Sequence, residues 1–336
     1  MAWFSFYLVI LTVSCLVTWL LRRYALATSL IDIPNHRSSH QVPTPRGGGL
    51  SFVFCFLAAT FFLFSLKCIS LSVFATLLLS GGGIAVLGFL DDRGHIPAKW
   101  RLLGHFIATG LALYLLGGMP AISLFNWTLA PGFISNVLAV FYLVWLLNLY
   151  NFMDGIDGLA GVEAITVCLG GVLLYCLQAD LMAIFLPLCL AFAVTGFLIW
   201  NFPPARIFMG DAGSGFLGLV LGLLSLQATA VNASFFWSWL ILLGVFIVDA
   251  TVTLVRRGLS GEKLSEAHRS HAYQHASRHY GGHLPVTVGV LVINVLWLLP
   301  WSLLVGVGYL NGCLGLLIAY SPLMVLALKF NAGKRE

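Results

Sequence analysis

Acidic and cationic residues fall in short clusters along this chain, and their spacing suits phosphate and metal chemistry. Asp91 and Asp92 are adjacent in GFLDDRGHIPAKWR, at the end of an apolar window. Two carboxylates at a helix C-terminus oppose the partial negative charge of that end. A cation must offset them, either a divalent metal or one of Arg93, Lys99 and Arg101. Paired carboxylates with separated pKa values also serve as base or nucleophile. Asp211 precedes Ala-Gly-Ser-Gly in WNFPPARIFMGDAGSGFLG. It reads either as a helix N-cap or as a metal ligand beside a diphosphate. Phe208, three residues earlier, reads as a stacking surface for a base or as an interface anchor.

A third cluster is NLYNFMDGIDGLAG, residues 148–161, where Asn148, Asn151, Asp154 and Asp157 follow an apolar run. Polar groups cost several kcal/mol in hydrocarbon unless satisfied. Each three-residue step turns a helical side chain by about 60°, so on a straight helix Asn148 and Asp157 point opposite ways. A break at Gly155 and Gly158 is therefore expected, with Asn148 capping the helix end. The loop DIPNHRSSHQVPTPRGGGL carries Arg37, His40 and Arg46 before Gly47–Gly49. It reads as a positive loop with a turn or as an anion site. The longest polar loop, RRGLSGEKLSEAHRSHAYQHASRHYGGH, mixes five histidines with arginines. On a helix His268, His271 and His275 share a face, but no fourth ligand stands in register for zinc. A polyanion clamp fits the basic neighbours better. Asp249, in FIVDATVTLVRR, is either functional or the partner of a nearby arginine.

The elements that must position these groups are membrane helices. The chain has 336 residues, 60% hydrophobic and 9% charged, against about 25% charged in soluble domains. Apolar windows long enough to span a bilayer fall at 3–21, 50–66, 71–90, 102–118, 134–150, 160–177, 181–200, 213–230, 235–254, 284–306 and 311–329. This predicts an all-α polytopic membrane protein of ten or eleven spans, a single domain over 1–336. The first window leads into RRYALATSL without a small-residue cleavage site and reads as a span. With the N-terminus periplasmic, sixteen of the seventeen Lys and Arg residues fall in inner loops and the C-terminal tail, and only Lys67 lies outside. All acids but Asp180 follow them; Asp249 and Glu163 sit near inner helix ends, and Glu266 and Glu336 lie in inner segments. The seven cysteines stand singly in apolar windows and read as core residues. No domain-scale repeat stands out.

Four elements in order, DD at 91–92, NLYNFMDGIDGLAG at 148–161, FMGDAGSGFLG at 208–218 and the basic His loop at 268–275, resemble the polyprenyl-phosphate N-acetylhexosamine-1-phosphate transferases. That family includes the translocase of peptidoglycan synthesis and enzymes that initiate O-antigen. The resemblance implies Mg²⁺, with Mn²⁺ as a substitute, held by Asp211 with Asp154 and Asn151. It implies that Asp91 acts on the lipid phosphate with Asp92 in support. Asp157 would hydrogen-bond the uracil and Phe208 stack on it, while Thr44, Arg46 and Asn201 contact phosphate or sugar. Lys99, Arg269, His271 and His275 complete the implied substrate-binding set.

The implied reaction moves an N-acetylhexosamine-1-phosphate from its UDP-sugar to undecaprenyl phosphate, releasing UMP, at the cytoplasmic face of a bacterial inner membrane. No nucleic acid is involved, and a homodimer stays open. The His loop departs from the family pattern. Peptidoglycan translocases carry three consecutive histidines there and enterobacterial-type enzymes a His-x-His-His pattern, whereas this chain has HRSHAYQH. That favours GlcNAc or a deoxy-N-acetylhexosamine in O-antigen or related envelope synthesis over a muramoyl-pentapeptide. The alternatives are a phospho-MurNAc-pentapeptide transferase and a lipid or ion transporter. Against the transporter, no ionisable residue lies at the centre of a window.

Overall fold

The computed structural model describes residues 2–34, 39–94, 96–125, 127–262 and 268–334. Arg37, Glu266 and Glu336 lie outside the described residues. Among those described the chain is helical apart from two short antiparallel pairs. In chain order the helices begin with α1 (Ala2–Ala27), α2 (Leu50–Ser65), α3 (Leu71–Thr76), α4 (Gly82–Gly94) and α5 (Ala98–Leu116). They continue with α6 (Phe133–Met153), α7 (Leu159–Leu177), α8 (Phe185–Asn201), α9 (Asp211–Gln227), α10 (Phe235–Leu242) and α11 (Gly244–Leu259). The last are α12 (Ala272–His279), α13 (His283–Ile293), α14 (Leu299–Gly306) and α15 (Gly312–Lys329). Strand β1 (Ile31–Asp32) pairs with β2 (Thr44–Pro45), and β3 (Ile122–Leu124) with β4 (Trp127–Leu129).

Seven helices among the described residues are long and apolar enough to cross a membrane, or eight if α10 and α11, bent by 69° at their junction, make one span. Two of the seven, Leu71–Gly94 and His283–Gly306, run through short π-helical segments at Leu77–Gly81 and Asn294–Leu298. This is fewer than the ten or eleven windows of the sequence. The other windows are helical too. However, α2 and α8 have only 16 and 17 residues, or about 25 Å of rise against a hydrocarbon core of about 30 Å. Helix α5 opens with Lys99 and Arg101.

Helix α9 is the centre of the fold. It is apolar on all sides, and 89% of its window is buried, as expected of a core helix. It packs against α4 and α6. Its approach to α4 is backbone on backbone: a Cβ at Gly88 would sit 2.5 Å from the Asp211 carbonyl and the Ala212 nitrogen. Asp92 lies four residues beyond Gly88, on the same face of α4, so this contact brings its carboxylate to the start of α9. A second close approach joins Gly49 to Gly213, where a Cβ would lie 2.6 Å from the Gly213 Cα. It brings the Arg46 segment to the same point.

Away from that end, Asn294 donates to Glu163 Oε2 at 2.6 Å and to Thr166 Oγ1 at 2.8 Å, tying α7 to the π-helical segment. Cys55, Cys168 and Cys189 are buried as expected. Cys15, Cys68 and Cys313 are half-buried, and Cys176 is exposed, so the core assignment fails for that one.

Candidate active site

The N-terminus of α9 is assembled by three parts of the chain distant in sequence. Gly210, at φ +79°, holds the N-cap position, and a Cβ there would lie 2.6 Å from Asp92 Oδ2. Asp211 is therefore not the N-cap but the first helical residue. The cap comes from α4: Asp92 accepts the Asp211 N–H at Oδ1 (3.1 Å) and the Ala212 N–H at Oδ2 (3.4 Å). Arg46 Nη2 lies 2.5 Å from Asp211 Oδ1 and 2.8 Å from Asp92 Oδ1. Arg101 pairs with Asp91 and stands 3.3 Å from Asp211 Oδ2, while Asp91 Oδ1 accepts the Ile96 N–H at 2.6 Å. The side chains of Asp91 and Asp92 are 4% and 1% exposed and that of Asp211 is 19% exposed. Asp211 is thus the carboxylate of the three that is most open to a ligand.

Helix α6 ends at Met153 and α7 begins at Leu159, so the chain breaks where the glycines predict. Asn151 donates to Ser214 Oγ at 3.2 Å, which holds it beside the first turn of α9. Asn148 bonds back to the Val144 carbonyl at 2.7 Å and caps nothing. The Asp157 carboxylate accepts the Ala205 N–H at 2.9 Å and lies 3.0 Å from His283 Nδ1. His283 Nε2 is 3.1 Å from the Ser39 carbonyl, so Asp157 and His283 tie three loops together. Asn201 bridges Gly158 N–H (3.0 Å) and the Ile207 carbonyl (2.9 Å). Phe208 packs edge-on against His40, with ring centroids 4.8 Å apart. Thr44 is buried, and its hydroxyl donates to the Val42 carbonyl.

In the His loop the helix begins only at Ala272, so His268 and His271 precede it, and the three-histidine face does not form. Among the described residues no group of three His, Cys, Asp or Glu side chains could hold a metal. Asp249 organises this loop. Its oxygens accept the Ala272 and Tyr273 N–H groups, both at 2.9 Å, and lie 3.3 Å from His271 Nδ1. The alternative reading of Asp249, as the partner of a nearby arginine, is not met among the described residues: Arg256 bonds the Ala332 carbonyl and Arg257 pairs with Glu262. Burial, with His271 and Arg257 nearby, pushes His268 down to about 3. His275 Nδ1 lies 3.0 Å from Arg278 Nη2, and the Arg269 carbonyl lies 3.3 Å from the same nitrogen. Lys99 is exposed over the Trp100 ring, and the cations that meet the acid pair are Arg101 at Asp91 and Arg46 at Asp92.

These groups line two joined cavities. The inner one, about 200 Å³, is walled by Arg46, Asn151, Asp154, Asp157, Asn201, Phe208 and Asp211. Through Ser39, His40, Gln274 and His283 it shares a wall with an outer cleft of about 1210 Å³, which adds Thr44, Arg269, Ser277 and Arg278. A narrow slot reaches Asp211 from the other side, between α4, α5 and α6, lined by Gly88, Arg101, His105 and Asn151. Burial raises the Asp154 carboxyl well above the usual range, and Asp211, Asp92 and Asp157 add to this against Arg46. Burial works against the charge of Arg46, yet Asp211, Asp92 and Asp32 hold it firmly protonated. Acids and guanidinium groups around a cavity of this size can bind an anion together with a divalent cation. Sequence reasoning did not single out Gln274 and His283, because nothing local marks a residue as facing a cavity built by distant loops.

Comparison with known proteins finds relatives across this region. The model of a family described as glycosyl transferase family 4 matches residues 71–229, which include Asp91, Asp92, Asn151, Asp154, Asp157 and Asp211. The chain is 30% identical, over 303 residues, to a probable undecaprenyl-phosphate N-acetylglucosaminyl 1-phosphate transferase of Bacillus subtilis, covering 87% of this chain and 81% of that one. It is 29% identical to a decaprenyl-phosphate N-acetylglucosaminephosphotransferase of Mycolicibacterium smegmatis, over 76% of this chain and 72% of the relative. A phospho-N-acetylmuramoyl-pentapeptide-transferase of Streptococcus pneumoniae is 31% identical, over 67% of this chain and 70% of its own.

Proposed function

We propose, of a chain that belongs to glycosyl transferase family 4, that it transfers an N-acetylhexosamine-1-phosphate from a UDP-sugar to undecaprenyl phosphate and releases UMP. The observation that carries the reading is the position of Asp211. It lies between the cavity that opens to the outer cleft and the slot among α4, α5 and α6, with a guanidinium on each oxygen. A soluble diphosphate can reach that carboxylate through the cavity, and the slot, about 20 Å³ as it stands, marks the side from which a lipid headgroup would approach on widening.

Both reactants are anions and repel in a low-dielectric site. Arg46 and Arg101 offset that charge, and Arg269 and Arg278 extend the positive wall along the outer cleft. Asp91, held by Arg101, is placed to orient or deprotonate the lipid phosphate. An oxygen of that phosphate attacks the sugar-bearing phosphorus of the donor, and the bond to the UMP oxygen breaks. Asp92 positions Asp211 through the α9 cap. Phe208 provides a stacking face for the uracil, and the Asp157–His283 pair shapes the adjoining wall.

The donor set suits a hard divalent cation, since Asp211, Asp154 and Asn151 offer oxygen ligands around one cavity. Mg²⁺ held there would neutralise charge on the diphosphate. We further propose that GlcNAc or a deoxy-N-acetylhexosamine is the sugar, for O-antigen or related envelope synthesis. The Lys and Arg distribution supports an N-terminus outside and an active site at the cytoplasmic face.

The test is release of UMP by the purified full-length protein, given undecaprenyl phosphate, Mg²⁺ and a donor panel that includes UDP-GlcNAc, UDP-deoxyhexosamines and UDP-MurNAc-pentapeptide. Turnover with an N-acetylhexosamine donor is expected. Turnover with the pentapeptide donor alone would overturn the sugar assignment, and none with any donor would overturn the reaction. Asp211→Asn should insert and fold yet lose at least about a hundredfold in turnover.

A further inference from the structure

We propose that Arg46 competes with the divalent cation for Asp211: it pairs with Asp211 and Asp92 while no metal is bound, and metal binding moves it onto the donor's phosphate. This rests on the metal site proposed above and concerns what must happen for it to fill.

Both oxygens of Asp211 are occupied by guanidinium groups, Oδ1 by Arg46 at 2.5 Å and Oδ2 by Arg101 at 3.3 Å. A metal bound by this carboxylate must displace at least one of them. Arg46 is the one in the way, because it lines the same cavity as Asp154 and Asn151, whereas Arg101 lines the slot on the other side and is also paired with Asp91. The other partner of Arg46, Asp92, is one of the least exposed acids of the site, yet keeps two backbone N–H donors when the guanidinium goes. The cost falls on repulsion between Asp92 and Asp211, whose carboxylates share one Arg46 nitrogen, and a divalent cation offsets that repulsion.

The displaced side chain remains against the cavity it already lines with Asn151 and Asp154. Its charge therefore stays in the site as a free fork for phosphate oxygens. Two consequences follow. Metal binding without substrate is weakened by competition with Arg46, and an anionic donor strengthens it by giving the released guanidinium a new partner. A site built this way avoids holding several uncompensated carboxylates when empty.

The experiment is Mn²⁺ binding to the full-length protein in nanodiscs, without lipid phosphate or nucleotide sugar, read by the spin-resonance signal of free Mn²⁺. Arg46→Gln should bind Mn²⁺ at least tenfold more tightly than the unmodified chain. Arg46→Lys, which keeps the charge on a shorter side chain, should fall between the two and stands in if the glutamine variant does not fold. Asp211→Asn should weaken binding at least tenfold. Equal or weaker Mn²⁺ affinity in Arg46→Gln, with binding lost in Asp211→Asn, overturns the exchange and leaves the metal site intact. Unchanged affinity in Asp211→Asn, or no Mn²⁺ binding by any form, overturns the metal site and the exchange with it.

Discussion

Asp92 accepts the backbone N–H of Asp211 at 3.1 Å, so the acid that ends α4 caps the helix that Asp211 begins. The free N–H groups of a helix start carry partial positive charge, and a buried carboxylate on them sets the direction of α9 where it meets the cavity. Adjacent acids thereby divide: Asp91 meets Arg101, and Asp92 anchors the backbone that carries Asp211.

Asp92→Ala should therefore act through Asp211. Loss of the cap should cost about 1 kcal/mol of stability, and turnover should fall more than tenfold through misplacement of Asp211. Asp92→Asn, which still offers one oxygen acceptor, should recover the stability but only part of the turnover. Thermal unfolding and UMP release on both variants check this, and wild-type turnover in Asp92→Ala would contradict it.

Asp249 plays the same part for the His loop, capping α12 and holding His271. Asp249→Ala leaves two buried N–H groups unsatisfied, at a cost of about 1–3 kcal/mol. Because the loop carries Arg269 and Arg278 to the outer cleft, the Michaelis constant for the UDP-sugar should rise about tenfold while the turnover number falls less. The reverse split would place Asp249 in the chemistry itself.

Gly155 sits under the helix that Asp249 caps. A Cβ there would lie 2.0 Å from the Tyr273 hydroxyl, which donates to the Phe152 carbonyl at 2.9 Å. Gly155→Ala should break that bond and push α12 off the end of α6, with activity falling at least tenfold. Removing the hydroxyl as well, in Gly155→Ala/Tyr273→Phe, should restore part of it. A double variant no better than the single would locate the defect elsewhere.

His268 gives a pH dependence of stability. Its folded value, about 3, lies below the ordinary value of about 6.5. Above pH 6.5 it is neutral folded and unfolded and contributes nothing to the slope. As pH falls below 6.5 the unfolded chain takes up a proton that the native site refuses, so stability is lost down to about pH 3. Unfolding midpoints from pH 7.5 to 4.5 should drop more steeply for the unmodified chain than for His268→Gln. Parallel curves would show that His268 does not titrate this way.

The membrane class, the order of the acidic clusters and the break after Asp154 were all legible in the sequence. Each depends on local composition: hydrocarbon tolerates few charges, and Gly155 and Gly158 end a helix wherever it lies. The number of spans was less legible, because an apolar window does not report how long its helix is, and α2 and α8 stop short. What the sequence could not decide is which charge meets which. Arg46 and Asp211 are 165 positions apart, Asp92 and Asp211 119, Arg101 and Asp211 110. Lys99 and Arg101 look alike as cations near Asp91, yet only Arg101 turns towards it. Asp249 reads from the sequence as functional or as a near arginine's partner, whereas it meets His271 and two backbone amides. Electrostatic partners at such separations are set by which helices touch, and here the contacts of α4 and the Arg46 segment with α9 depend on Gly88 and Gly49 admitting another backbone. Those contacts exist only in the packed tertiary structure, and they turn scattered acids and cations into one site.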